Sequence, residues 1–223
     1  MISLFDKGGP IMWPILACSI LALAIILERA YFFLRYSNNY KSFMAQLLAQ
    51  LQDQNPASAL NFCRQRHDPL AVMAQTYLET YQQPPELQSE IVKLRGSEEM
   101  ERVERFLRGL ATIGYLTPLL GLFGTVTGMI QAFRQLQALG TQADVTALAG
   151  GIWEALLTTA FGLLVALPTL AAYHYFDSLA GRMANHMEFV VVRLKEALMM
   201  SGERLQPNSG KAGYLPLSPK KSP

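Results

Sequence analysis

The chain has 223 residues, of which 51% are hydrophobic and 16% are charged, and its mean hydropathy is positive at +0.17. This balance is unusual for a soluble protein, and a net charge of +2 without a dense Lys/Arg run gives no support for a nucleic-acid partner. Cys18 and Cys63 stand far apart with no CxxC or Cys/His cluster, so we expect two buried or inert thiols and neither a disulfide framework nor a zinc site.

Three segments are long and apolar enough to cross a bilayer, which takes about 20 residues in a helix. They comprise residues 11–34, 109–133 and 145–176. The first is predicted to stay as an anchor, because Glu28 and Arg29 stand where a cleaved signal peptide would carry small residues. The sequence therefore predicts an all-α integral membrane protein with three transmembrane helices, in contact with membrane lipids.

The basic residues predict the orientation of these spans. Nine of the nineteen Lys and Arg residues fall in 35–108 and seven follow residue 176, whereas the tail 1–10 and the loop 134–144 hold one each. Because Lys and Arg collect on the cytoplasmic side, the amino terminus is predicted outside and the carboxyl terminus inside. A cytoplasmic helix is expected over 177–206 and a disordered Pro/Ser/Gly/Lys tail over 207–223.

The segment between the first two spans is predicted to be a helical cytoplasmic domain over 35–108. Apolar residues recur at three- and four-residue steps in three pieces, 38–54, 57–66 and 69–81, with prolines between them. From Glu86 the pattern continues into the second span without a strong breaker. A long helix is therefore expected to rise from the cytoplasm into the membrane.

Glu154 is the one acidic residue of the third span. A charged side chain near the centre of a bilayer costs about 3 kcal/mol or more, so such residues usually face a protein interior or a wet cavity. If the helix begins after Asp144, Glu154 lies well inside the bilayer; if it begins near Gly151, Glu154 lies near the outer interface. Helical spacing places Thr158 and Gly162 to one side of Glu154, with Thr159 slightly further round. This polar stripe favours the deeper position, although the interpretation of Glu154 as a purely structural acid stays open.

The second span carries a matching stripe. At 100° per residue, one arc of the helix collects small and polar side chains, with Thr125 beside it; the arc contains Thr117, Gly121, Gly124, Gly128, Gln131 and Gln135. Small residues spaced as GxxxG let helices approach closely in lipid. We predict that the second and third spans pack together through Gly121, Gly124, Gly128 and Gly162 and line something polar.

The run T117-PLLGLFGTVTGMIQAF-133, a short loop, and G151-IWEALLTTAFGLLVALPTLAAYHYF-176 resemble the MotA/TolQ/ExbB proton-channel family, and within it the ExbB and TolQ branch. The resemblance implies a homo-oligomeric ring, usually a pentamer, in a bacterial inner membrane, with the amino terminus in the periplasm. It also implies a dimeric ExbD- or TolR-like partner, whose single-span helices lie in the pore, and a TonB- or TolA-like protein. It maps the proton path onto Glu154, Thr125 and Thr159, and Thr158 borders the same acid.

The leading interpretation is therefore an ExbB-like subunit that uses the proton motive force to energise TonB-dependent outer-membrane import. A TolQ-like role in the Tol-Pal envelope system is the alternative. A different class of function is also open, namely a membrane scaffold in which Glu154 is purely structural. No HExxH, GxSxG or P-loop motif is present, so nothing supports an intramembrane protease or an ATPase. We predict no enzymatic activity, no metal site and no cofactor, with protons as the coupling ion.

Overall fold

The computed structural model describes residues 9–36, 40–52, 56–66, 68–139 and 145–204. Within these ranges the secondary structure consists of six α-helices and no strand: α1 Met12–Tyr36, α2 Tyr40–Gln52, α3 Pro56–Arg64, α4 Pro69–Glu79, α5 Pro85–Leu139 and α6 Val145–Arg204. Three of them, α1, α5 and α6, contain segments long and apolar enough to cross a membrane. The predicted all-α membrane fold is confirmed. The tail 207–223 lies outside the described residues.

The two long helices run far past the length of one bilayer crossing. α5 has 55 residues and α6 has 60, which at 1.5 Å per residue is roughly 80–90 Å against ~30 Å of hydrocarbon. The long helix expected from Glu86 is thus continuous with the second span. The sequence predicts the third span and the segment 177–206 as two elements. In the structure they form one helix as far as Arg204, because no strong breaker separates them.

The chain divides into two compact units, the first of which is Met1–Lys41 with Lys93–His186. Its described part holds all three apolar segments. Leu107 and Leu110 are fully buried there, and the rings of Phe33 and Phe176 stack with centroids 5.7 Å apart. Many large apolar side chains on the three helices remain exposed, among them Leu164 and Leu167. An apolar surface of this kind is stable when lipid or other subunits cover it.

One arginine of the first unit is buried against an apolar helix. The Arg29 guanidinium donates to the Val103 carbonyl at 2.8 Å and to the Glu28 carboxylate at 2.7 Å, and it lies over the Phe106 ring. The Arg29 side chain is only 4% exposed, whereas Glu28 is 46% exposed. Glu28 thus pairs with Arg29 from the more exposed side of the cluster. The burial of Arg29 between α1 and α5 was not predicted.

The second unit is Ser42–Val92 with Met187–Pro223. α3 and α4 pack against each other, and Phe43 of α2 stacks on Phe62 of α3 at 5.9 Å. Asp68 caps α4 by accepting a hydrogen bond from the Ala71 amide at 2.7 Å. Cys63 is a buried free thiol in this core. The three helices follow the predicted pieces 38–54, 57–66 and 69–81 within a few residues.

Candidate functional site: an acid in a cavity between the apolar helices

The backbones of α5 and α6 touch where two glycines face each other. A Cβ atom added to Gly162 would lie 2.9 Å from the Thr117 carbonyl oxygen and 3.1 Å from the Gly121 Cα. A Cβ atom on Gly121 would in turn lie 3.0 Å from the Thr159 Cα. Since real Cβ atoms do not approach backbone so closely, only glycine permits this contact. The Thr159 hydroxyl crosses it and donates to the Gly121 carbonyl at 2.9 Å.

The close approach continues along both helices toward the amino-terminal end of α6. Gly124 faces the Thr158 side chain, and Gly128 faces Ala155. Thr158 is 2% exposed and donates its hydroxyl to the Glu154 carbonyl oxygen at 2.9 Å. The four glycines predicted from helical spacing therefore all lie where α5 and α6 meet. This packing fixes the height and the direction of the helical turn that carries Glu154.

Glu154 lies at one end of this helix pair and lines a cavity of about 200 Å³. The other lining residues come from α5, α6 and the turn before α1: Gly9, Pro10, Ile11, Phe123, Gly124, Thr127, Gly128, Gln131 and Thr158. The Glu154 carboxylate lies directly against Gly9, since a Cβ atom there would be 2.7 Å from Oε1. Gly9 has a φ of +70°, a backbone conformation that favours glycine. No Lys or Arg is among the described residues that line the cavity.

The neighbours of Glu154 show its depth along the helices. Gly9 immediately precedes the first apolar segment, and Gln131 lies near the end of the second. α6 begins at Val145, the start that the deeper alternative assumes, so Glu154 lies nine residues into this helix. Its depth in a membrane stays a prediction.

The residues predicted to line a proton path do not all meet in one cavity. Thr158 lies beside Glu154, whereas Thr159 bonds across the helix contact. Thr125 donates its hydroxyl to the Leu122 carbonyl at 2.7 Å and lines a different groove of about 550 Å³ with Phe133 and Arg134. That groove does not include Glu154. Within a single subunit, Thr125 and Glu154 thus border separate spaces.

Sequence reasoning missed two parts of this cavity. Thr127 was not singled out, because Thr125 and Thr127 flank the glycine arc at equal angles on opposite sides and helical spacing does not choose between them. The turn at Gly9 and Pro10 gave no signal, since its contact with Glu154 joins residues far apart in the sequence. Gln131 was part of the predicted stripe, and the structure places it on the cavity wall.

The fold and this site together define a polytopic α-helical membrane protein that holds an ionisable side chain between its apolar helices. Residues 65–189 match the family described as the MotA/TolQ/ExbB proton channel family. Because that match covers more than half of the 223 residues, the chain belongs to this family, and to its ExbB/TolQ branch according to the relatives described next.

The relatives carry ExbB and TolQ names. An ExbB-like biopolymer transport protein of Synechocystis is 34% identical over 189 residues, which cover 83% of this chain and 74% of the relative. The biopolymer transport protein exbB1 of Vibrio cholerae is 28% identical over 183 residues, or 81% of this chain and 80% of the relative. The Tol-Pal system protein TolQ of Pseudomonas aeruginosa is 45% identical over 82 residues, covering 37% of this chain and 35% of the relative.

Proposed function

We propose that this chain is the ring-forming proton-channel subunit of an inner-membrane complex that converts the proton motive force into work on the outer membrane. The observation that carries the proposal is Glu154, an ionisable side chain that lines a cavity between apolar helices together with Thr127, Gln131 and Thr158. Ionisable residues in such positions mark ion paths in membrane proteins. Each elementary charge that crosses the membrane releases about 2.3 kcal/mol per 100 mV, which is the energy available to the complex.

The proposed assembly follows the family pattern. Copies of this chain form a closed ring, the pentamer that the resemblance implies, around the single-span helices of an ExbD- or TolR-like dimer. The chain itself supplies Glu154, and the partner supplies the transmembrane Asp that this chain lacks in its three apolar segments. The exposed apolar side chains of α1, α5 and α6 give the ring its lipid and subunit contacts. The amino terminus lies in the periplasm.

An ExbB-like role in TonB-dependent import is the leading assignment. The ExbB-named relatives from Synechocystis and Vibrio cholerae align over four fifths of this chain. The TolQ relative aligns over 37% of it, although at the higher identity of 45%. That local identity makes a TolQ-like role in envelope integrity the second candidate. The identity of the partner protein then determines whether the complex acts on a TonB-like or a TolA-like protein.

The test is a chromosomal Glu154→Ala substitution in the bacterium of origin, with Glu188→Gln, an exposed acid elsewhere on α6, as the control. The ExbB-like role predicts that Glu154→Ala abolishes growth on a scarce iron chelate while the complex still assembles. Loss of outer-membrane integrity with normal iron uptake would assign the TolQ-like role instead. Normal growth and an intact envelope would leave Glu154 as a structural acid and contradict the proposal.

A further inference from the structure

We infer that Gly151 is a positioning residue for Glu154 and that it acts through Ala132 of α5. These two residues extend the contact between α5 and α6 beyond Glu154, so that α6 is held against α5 on both sides of the acid. The inference rests on the proposed function, because it concerns the acid that the proposed channel uses. It adds the requirement that this acid be held in one place.

One face of each helix forms the contact. On α6, four residues share an arc of about 60°: Gly151, Ala155, Thr158 and Gly162. The large side chains of Trp153 and Leu156, on the other side of this helix, are exposed. On α5, Ala132 follows Gly128 by four residues and so continues the glycine face. The two faces meet along the whole length of these arcs.

The Ala132 methyl group occupies the space that a side chain on residue 151 would need. A Cβ atom added to Gly151 would lie 2.6 Å from the Ala132 Cβ atom and 3.4 Å from the Ala132 Cα atom. Ala132 is buried, and its methyl group is bonded directly to the α5 backbone, so it cannot rotate away. A methyl group on residue 151 must therefore move the two helices apart at this turn.

A second contact holds α6 on the other side of the acid. A Cβ atom added to Gly128 would lie 2.9 Å from the Ala155 Cβ atom, and Ala155 is buried. Glu154 lies between the two contacts, three residues after Gly151 and one before Ala155. Helical spacing places its side chain about 60° from Gly151 and about 100° from Ala155, beside the contact face. If the Gly151 contact opens, α6 is held against α5 only from Ala155 onward, and the carboxylate moves.

The experiment measures proton flux through the complex in liposomes and, separately, how the carbodiimide labelling of Glu154 depends on pH, read by mass spectrometry. For Gly151→Ala we expect flux to fall by about tenfold or more, since a misplacement of about 1 Å is enough for such a loss. We also expect the midpoint of the labelling curve to shift by about half a pH unit or more, because a displaced carboxylate has different surroundings. A residue that only stabilised the fold would leave this midpoint unchanged in the assembled complex.

Two further variants separate this role from a general effect of alanine. Gly150→Ala changes the neighbouring glycine, where a Cβ atom meets nothing within 4 Å, and it should match the wild type in both measurements. The double variant Gly151→Ala with Ala132→Gly transfers the methyl group from α5 to α6. The nearest atoms of residue 132 then lie at ordinary contact distances of 3.4 and 4.0 Å. We expect this double variant to recover both the flux and the labelling midpoint.

The inference is wrong if an assembled Gly151→Ala complex keeps the wild-type midpoint, if Ala132→Gly fails to restore it, or if Gly150→Ala shifts it equally. Should Gly151→Ala fail to assemble, recovery of assembly and flux in the double variant supports the inference, and its absence overturns it. Failure of the proposed function has a different signature, namely proton flux that persists in Glu154→Gln, and it leaves the labelling comparison intact.

Discussion

Single glycines control how closely α5 and α6 approach, and Gly162 is the most constrained of them. The atoms that would oppose a Cβ on Gly162, the Thr117 oxygen at 2.9 Å and the Gly121 Cα at 3.1 Å, belong to the backbone and cannot rotate away. A methyl group there must push the helices apart. The Thr159 hydrogen bond to the Gly121 carbonyl would lengthen with them.

Gly162→Ala is therefore expected to lower the free energy of unfolding by about 1–3 kcal/mol, the usual cost of overpacking. The control is Gly181→Ala, on the same helix, where a Cβ atom meets nothing within 4 Å. This control should be neutral or slightly stabilising, because alanine favours a helix by up to about 1 kcal/mol over glycine. Denaturant unfolding in lipid discs measures both variants, and equal stabilities would refute the close contact.

Cys63 is predicted to be chemically inert in the folded protein. Burial, with a smaller contribution from the Asp68 charge, raises the pKa of the Cys63 thiol from 9.0 to about 12, and Arg66 opposes part of this rise. At a pH below 9.0 the folded protein then holds about a thousandfold less thiolate than the unfolded chain. Because the pKa is raised on folding, the stability contribution of this thiol is complete below pH 9.0 and is lost as the pH rises toward 12.

Iodoacetamide alkylation of a Cys18→Ala variant tests this prediction for Cys63. Alkylation at about pH 8.5 should be slow in the folded protein and should accelerate by orders of magnitude in guanidinium chloride. The thiol is the same in both states, so the ratio of the two rates reports burial and thiolate fraction together. Equal rates before and after unfolding would show that Cys63 is accessible and ionised in the native state.

At the scale of helices, the Arg29 cluster ties α1 to α5. The guanidinium makes a charge-assisted hydrogen bond to the Val103 carbonyl, pairs with Glu28 and lies over the Phe32 and Phe106 rings at 4.7 and 4.8 Å. A lysine ammonium cannot replace this group, because only the planar guanidinium can stack on aromatic rings and pair with a carboxylate at the same time. The side chain therefore joins the two helices by its shape as well as by its charge.

Arg29→Lys is expected to lower the free energy of unfolding by about 1–2 kcal/mol, the value of a charge-assisted hydrogen bond and a stacked contact. Arg193→Lys is the matched control, since the Arg193 pair with Glu196 is exposed, and it should change stability by less than about 0.5 kcal/mol. The comparison uses the same unfolding assay. A loss in Arg193→Lys as large as that in Arg29→Lys would contradict the assigned difference in burial.

Most elements could be predicted from the sequence, because hydropathy and helical periodicity act locally. The three apolar helices and the three short helices of the second unit were both visible in this way. Local patterns also placed Thr158 and Gly162 on the Glu154 side of α6. The contacts of Arg29 with Val103 and of Glu154 with Gly9 were not predictable, since each depends on how distant segments pack. The depth of Glu154 in the membrane stays a prediction, because a stripe gives direction around a helix but not height.

At the scale of the whole molecule, the exposed apolar surface must be covered by lipid or by other subunits. Phe123, Leu122 and Leu119 of α5 are between 56% and 59% exposed, and the same holds for many side chains of α1 and α6. Lipid covers some of this surface, and neighbouring subunits cover the rest in the proposed ring. A closed ring is a symmetric arrangement in which no copy has an unused interface.

Native mass spectrometry of the complex, extracted from its own cell in mild detergent, tests the proposed assembly. We expect a ring of about five identical chains together with a small single-span protein that carries a transmembrane Asp. The identity of this protein separates service to TonB from service to TolA. A monomer, or an oligomer that lacks any partner in lipid discs as well, would contradict the proposed assembly.

The most direct test of the account is proton flux through the purified complex in liposomes that contain a pH-sensitive dye, driven by an imposed potassium potential. The wild-type complex and Glu188→Gln should conduct protons, and Glu154→Gln should fall to the level of protein-free liposomes, because its amide cannot carry a proton. The Glu154→Gln complex must retain its native composition for the comparison to hold. If an intact Glu154→Gln complex conducts protons at the wild-type rate, Glu154 does not lie on the proton path and the central claim is wrong.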